Sequence, residues 1–298
     1  MNFAQNGILV IDKPAGTTSR AMVDATARLV PGARVGHAGT LDPLATGVLV
    51  VCVGPATRLV ETIQGLAKTY QVEIHLGARS DTLDADGRIE HDDSPPIPDA
   101  GEIAVALAPF RGVIQQMPPQ FSALKVAGRR AYDLARKGSV VELKPRPVRI
   151  DRIAVLDYAW PILALEVDCG GGTYIRSLAR DVGEKLGSSG YVQTLRRTRI
   201  GGFTLDQAVD PGVLVNRAAF ESHLLNPVLA VQGLTRVVLD PAQRAAVALG
   251  KRIPAGESGL AAPNCSKPIA LIDQAGALVA LAELEPEGGW LQPRKVLI

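Results

Sequence analysis

The stretch from Lys68 to Leu76 alternates without a break. Tyr70, Val72, Ile74 and Leu76 fall on one face, and Thr69, Gln71, Glu73 and His75 on the other. A period of two predicts a half-buried strand. Short, continuously apolar runs at Gly7–Ile11 and Val48–Val53 predict fully buried strands. Ala164–Cys169 reads as a strand stopped by Gly170-Gly171-Gly172, and Leu195–Phe203 as a further strand. Helical spacing marks three segments. The first starts at Ser19 as its cap and runs to about Val30, stopping at Pro31-Gly32. The second spans Ala100–Ala108 and ends at Pro109. The third, Thr173–Leu186, is the clearest: Ile175, Leu178, Ala179, Val182 and Leu186 share a face, and Gly187 suits the C-terminal cap. Asp86-Gly87 carries a hairpin-type turn signal.

Two regions differ in character. Residues 118–147 open with Pro118-Pro119 and close with Lys144-Pro145-Arg146-Pro147, and Gly128 and Gly138 bracket a short helix carrying Tyr132 and Leu134. After Asn226-Pro227 and Gly233 the pattern shifts to alternating runs, such as Ala277–Leu284, with one short helix following Pro241. That shift predicts two domains, 1–232 and 233–298, the second a small β-rich module. No internal repeat or low-complexity tract is present.

Composition narrows the class. The chain has 298 residues, 47% of them hydrophobic but only 4% aromatic, so its core is built from Val, Leu, Ile and Ala. The net charge of +2 hides an asymmetry. Lys125–Arg152 holds nine Lys or Arg against three Asp or Glu, a local +6, which leaves −4 for the rest. A basic element between proline-rich borders points to a nucleic-acid contact. Three dispersed cysteines (Cys52, Cys169, Cys265) and four histidines without ligand spacing predict no metal site. The odd cysteine count and the lack of a signal segment fit a reducing cytosol, so a cytoplasmic protein is expected. No apolar run is long enough to span a bilayer.

The most informative chemistry lies in the run Gly36-His37-Ala38-Gly39-Thr40-Leu41-Asp42-Pro43-Leu44-Ala45-Thr46-Gly47. It presents one carboxylate, Asp42, among small residues, just before an apolar strand. Pro43 biases Asp42 toward extended backbone. Arg176 falls in the first turn of the clearest helix, where a cation opposes the helix dipole. Such a placement is expected if its guanidinium is needed against a carboxylate, because an Asp in a low-dielectric pocket stays ionised only with a partner. Spacing alone does not pair Asp42 with Arg176. Tyr70, on the apolar face of its strand, reads first as a core residue, with a ring that stacks on an extruded base as the functional alternative. Lys13, at the end of the first strand, either holds a phosphate or solvates a turn. The run Thr82–Gly87 lacks the first Asp of a calcium loop and is rejected as one. No phosphate-loop or Rossmann fingerprint occurs.

Five segments, in order, resemble the motifs of the TruB-type pseudouridine synthases. They are Gly7–Ser19, the Asp42 loop, Lys68-Thr69-Tyr70 followed by Asp81–Gly87, Gly172–Leu178, and Leu195-Arg196-Arg197. The C-terminal segment resembles, less closely, the small PUA RNA-binding module. The resemblance implies a mixed α/β (α+β) fold: a central, mainly antiparallel sheet followed by a β-barrel-like module. It implies isomerisation of uridine 55 in the T stem-loop of tRNA to pseudouridine, on a flipped-out base. Asp42 would be the nucleophile, Tyr70 would stack on the uracil, and Arg176 would pair with Asp42. His37, Tyr174, Leu195 and Lys13 would contact substrate, and residues 118–147 would form a thumb closing on the T arm. No cofactor, metal or membrane is needed, and a monomer is expected. Two alternatives are a subunit of an RNA-guided particle and a non-catalytic RNA-binding or RNA-folding protein.

Overall fold

The computed structural model describes residues 6–120, 125–126, 129–130, 143–255, 268–286 and 289–298. The helix expected around Tyr132 and Leu134 lies outside them. In chain order the strands of the large unit are β1 (Gly7–Lys13), β2 (Val35–His37), β3 (Thr46–Val53), β4 (Lys68–Leu76), β5 (Ala78–Ser80), β6 (Ile89–His91) and β7 (Gly112–Gln116). They continue with β8 (Lys125–Val126), β9 (Arg129–Arg130), β10 (Arg146–Ala159), β11 (Ile162–Cys169), β12 (Gly190–Ile200) and β13 (Phe203–Thr204). Nine of these strands form one sheet in the order β1-β3-β12-β4-β11-β10-β7, with β2 beside β3 and β13 beside β12. Every pairing in it is antiparallel except β12 with β3. The mainly antiparallel sheet expected from sequence is therefore present.

The single parallel contact places the two ends of the site side by side. It aligns Arg196 with Thr46 and Arg197 with Gly47. Gly47 has a φ of +98°, and a Cβ there would lie 2.2 Å from the Arg197 carbonyl oxygen. Only glycine lets the strands approach this closely at that backbone angle.

Helices Ser19–Leu29, Ala100–Leu107 and Ile175–Lys185 cover one face of the sheet, burying Met22, Ile103, Leu107, Ile175, Leu178 and Val182 against Leu9, Leu49, Val72 and Leu165. The sequence places the helix starts within two residues. One difference matters. Thr18, not Ser19, caps the first helix, its hydroxyl accepting from Ala21 N. Ser19 is buried and its hydroxyl bonds the backbone of Leu41 instead. The turn at Asp86-Gly87 joins β5 to β6 through a longer loop than a two-residue hairpin, held in part by Gly87 N donating to Asp84 O. The strand expected at Leu195–Phe203 begins earlier, at Gly190, and breaks at Gly201-Gly202 before β13.

The C-terminal strands are β14 (Arg236–Leu239), β15 (Ile253–Pro254), β16 (Ile269–Asp273), β17 (Leu278–Leu284) and β18 (Trp290–Val296). They form a separate five-stranded sheet that curls into a half-barrel. It has its own core around Leu239, Val247, Leu271 and Leu291. Ala270, Leu278, Leu281 and Leu297 also pack with Ile8, Val50, Ile63 and Val231. The small sheet is thus seated on the reverse side of β1 and β3. No helix among the described residues is long and apolar enough to cross a membrane.

Candidate active site

The Asp42 loop is fixed from three directions. Ser19 Oγ donates to Leu41 O at 3.0 Å and accepts from Leu41 N at 2.8 Å. Arg197 reaches from β12 to donate to Gly39 O at 3.1 Å, Thr40 O at 3.4 Å and Val48 O at 2.8 Å. Lys13 Nζ donates to Pro43 O at 3.2 Å, Thr17 O at 2.8 Å and Pro14 O at 2.9 Å. An ammonium has three donors, and here all three are committed to backbone carbonyls. Lys13 is fully buried. It is a tie beneath the loop and does not line the cleft described below. Burial pulls its pKa down to about 8, with Asp42 partly opposing.

Within this frame Asp42 meets Arg176 in a side-on pair. Arg176 Nε lies 3.0 Å from Oδ2 and Nη2 lies 3.2 Å from Oδ1. Two parallel contacts fix the carboxylate plane as well as its charge. The pairing that sequence spacing left open is thus made by the fold. Arg176 is 6% exposed and has a second set of partners: its Nη1 donates to Thr82 O at 2.8 Å and lies 3.3 Å from Asp84 Oδ2. Asp84 is itself buried and accepts from Thr82 Oγ1 at 2.6 Å. Burial raises its pKa, against the Thr82 hydrogen bond and the Arg176 charge. Each guanidinium edge in this cluster faces an oxygen, as a buried charge requires.

A cleft of about 320 Å³ opens above the pair. Its walls include Tyr70 and Lys68 from β4, Leu195 and Arg197 from β12, Arg146 from β10, and Gly172–Arg176. Tyr70 is buried, and burial raises its phenol pKa while Arg197 beside it opposes. Tyr174 sits at the N-terminus of its helix, its backbone N–H and carbonyl both bonded to the buried Gln116 side chain. The Arg146 guanidinium lies 4.7 Å over the Tyr174 ring. Lys68 donates to Gln64 O and Leu66 O, each at 2.8 Å, and burial lowers its pKa to about 8. A cleft that sets the apolar and aromatic side chains of Leu195 and Tyr70 beside one oriented carboxylate suits a flat, extruded base.

Of the sequence candidates, Asp42, Tyr70, Arg176, Tyr174 and Leu195 converge on the cleft. His37 does not line it. It ends β2 opposite Val51, and the lining starts two residues later at Gly39. Asp84, Arg197, Gln116 and Arg146 carried no assigned role. Arg197 had a usable signal: by alternation it shares the apolar face of its strand with Leu195. Asp84 had none, being one of three acids in Asp81–Asp86.

Residues 27–175 match the model of the TruB family pseudouridylate synthase N-terminal domain, and 176–241 match the tRNA pseudouridylate synthase B C-terminal domain. The tRNA pseudouridine synthase B of Mycobacterium bovis (strain BCG / Pasteur 1173P2) is 44% identical over 260 residues, which cover 86% of each chain. That of Xanthomonas campestris pv. campestris (strain 8004) is 39% identical over 98% of this chain and 94% of its own. In a crystal structure of a Cbf5-Nop10-Gar1 complex, a chain 26% identical to this one superposes with a TM-score of 0.77, covering 99% of this chain and 86% of that one. The family models over 27–241 agree with a relative and a fold likeness that run along nearly the whole length, and the chain belongs to the TruB family of pseudouridylate synthases.

Proposed function

We propose that this protein isomerises uridine to pseudouridine at position 55 in the T arm of tRNA, with Asp42 as nucleophile. The observation that carries the reading is the Asp42–Arg176 pair, held side-on at 3.0 and 3.2 Å at the floor of a cleft walled by Tyr70 and Leu195. The reaction breaks the N1–C1′ bond, turns the base and joins C5 to C1′. A carboxylate suits this sequence because it forms and then releases a bond to an electron-poor carbon. Arg176 keeps it ionised and aimed, which is electrostatic preorganisation.

Tyr70, a neutral phenol whose pKa burial raises further, packs on the uracil face. To take the C5 proton Tyr70 must first be the phenolate, which burial opposes and the neighbouring Arg197 favours, and the transfer then restores the phenol. The half-barrel supplies a second RNA contact, and the protein acts as a cytoplasmic monomer.

The test is to incubate purified protein alone with a tRNA transcript and map pseudouridine along it. Pseudouridine at position 55 is expected. Modification elsewhere only would overturn the site assignment. The likeness to a chain from a Cbf5-Nop10-Gar1 complex motivates one rival, in which the chain needs partner subunits. No turnover by the lone protein, restored by added partners, would favour it.

A further inference from the structure

We infer that Arg146 binds a backbone phosphate of the nucleotide whose base enters the cleft. The inference rests on the reading above that the substrate is RNA. Four cations line the cleft: Lys68, Arg146, Arg176 and Arg197. Three are already committed. Arg176 is neutralised by Asp42 and Asp84. Arg197 is buried and its fork is spent on the carbonyls of Gly39, Thr40 and Val48. Lys68 is buried against Gln64 O and Leu66 O.

Arg146 is different. It is only half-buried and donates to Gly172 O, and no carboxylate among the described residues pairs with it. A guanidinium has five N–H donors, so most of its fork remains for a ligand. The group is also held in place. Its backbone pairs with Gln116 of β7, and the Gln116 side chain clamps the backbone of Tyr174, on whose ring the guanidinium lies. Stacking leaves the N–H edge free while removing rotamer freedom.

The ligand follows from the chemistry. A flipped nucleotide carries its phosphates to the cleft mouth, and phosphate is the anion a guanidinium fork fits in two-point contact. Arg146 is also the first residue of β10, so it links the basic 118–147 segment to the cleft.

A double-mutant cycle on binding decides the matter. The protein is wild type, Arg146→Ala or Arg146→Gln. The RNA is a T stem-loop, unmodified or with one methylphosphonate at each phosphate flanking the target uridine in turn. Thermal melting checks folding, and the Gln variant retains a donor for Gly172 O. For one phosphate, neutralisation is expected to weaken wild-type binding about 10-fold or more, the size of a hydrogen bond to a charged group. Arg146→Ala should weaken binding of unmodified RNA by a similar factor, and the two changes together should add little further. If the losses multiply at every phosphate tested, Arg146 is only a tie between Gly172 and Tyr174 and the inference fails. Pseudouridine formation on the unmodified stem-loop is measured separately, so failure of the functional reading is distinguishable from failure of this one.

Discussion

The two faces of β4, β11 and β12 carry charges in opposite ways. On the cleft face, Lys68, Tyr70 and Arg197 are all under 8% exposed, and every polar group is committed to a named partner or to the site. On the reverse face of the same strands, Asp168 collects Thr69 Oγ1 at 2.5 Å, Arg152 at 2.9 Å and Arg199 at 3.3 Å, and Arg152 also pairs with Glu166. There the arginine side chains are 43–51% exposed. The basic side chains of one set lie out of water, and those of the other lie where water competes. Buried charges are expensive to leave unpaired, whereas exposed pairs contribute little. The lesson is that proximity of opposite charges identifies neither function nor stability, and burial distinguishes the two ladders. Adjacent residues on one strand, Tyr70 beside Thr69, belong to different chemical settings.

The sharpest way to break the comparison is Asp42→Asn. This substitution keeps the shape of the loop and removes the carboxylate. Turnover should fall by ~10³-fold or more, with RNA affinity nearly unchanged, as for an essential nucleophile. Release of tritium from C5-labelled uridine in tRNA measures it. Retention of a tenth of wild-type activity would mean that the cleft carboxylate is no more catalytic than Asp168 on the reverse face.

Arg176→Lys comes next. Lysine keeps the charge but cannot meet both oxygens of Asp42 while also reaching Thr82 O and Asp84. Single-turnover rates should drop by about two orders of magnitude, in line with the loss of a positioned electrostatic partner. Melting temperature serves as the folding control. Near-normal rates would show that charge alone, and not the fork, holds Asp42.

How legible these faces were in the sequence depends on how each residue is placed. The alternation from Lys68 to Leu76 assigned Tyr70 to the buried side correctly, because strand geometry fixes side-chain direction. The first-turn position of Arg176 flagged an unusual cation, and the fold confirmed a carboxylate partner. Spacing left Lys13 between a phosphate contact and a turn, because its bonds to the carbonyls of Thr17 and Pro43 follow from loop conformation. Asp84 and Gln116 were invisible for the same reason: each acts across a gap in the chain, Asp84 on Arg176 and Gln116 on Tyr174.

A smaller effect sharpens the contrast through pH. Burial lowers the Lys13 pKa from the ordinary 10.5 to about 8. Below 8 both folded and unfolded chains hold the proton, and the folded state bears a buried charge. Between 8 and 10.5 the unfolded chain binds more protons than the folded one, so this residue's contribution to stability rises with pH across that window. Urea unfolding of wild type and Lys13→Met at pH 7.5 and 10 isolates the term. The difference should move in favour of wild type by on the order of 2 kcal/mol. A pH-independent difference would mean that the ammonium beneath the Asp42 loop is as well solvated as a surface lysine.

The smallest expected effect belongs to the reverse face. Arg152→Ser removes two ion pairs at once, to Asp168 and Glu166. Burial tends to raise the Asp168 pKa, but the Thr69 and Arg152 hydrogen bonds outweigh it and hold the carboxyl below its usual range. Thr69 and Arg199 stay in place in the variant, and the strand pairing of β10 with β11 uses backbone groups. Because the lost pairs are exposed, stability should change by about 0.5 kcal/mol or less. Turnover should match wild type, since Arg152 lies outside the cleft lining. Denaturant midpoints in low and high salt, with tritium release on the same samples, provide the check. A loss of activity comparable with that of Arg176→Lys would show that the two faces are coupled through the sheet and that burial does not separate the functional ladder from the solvated one.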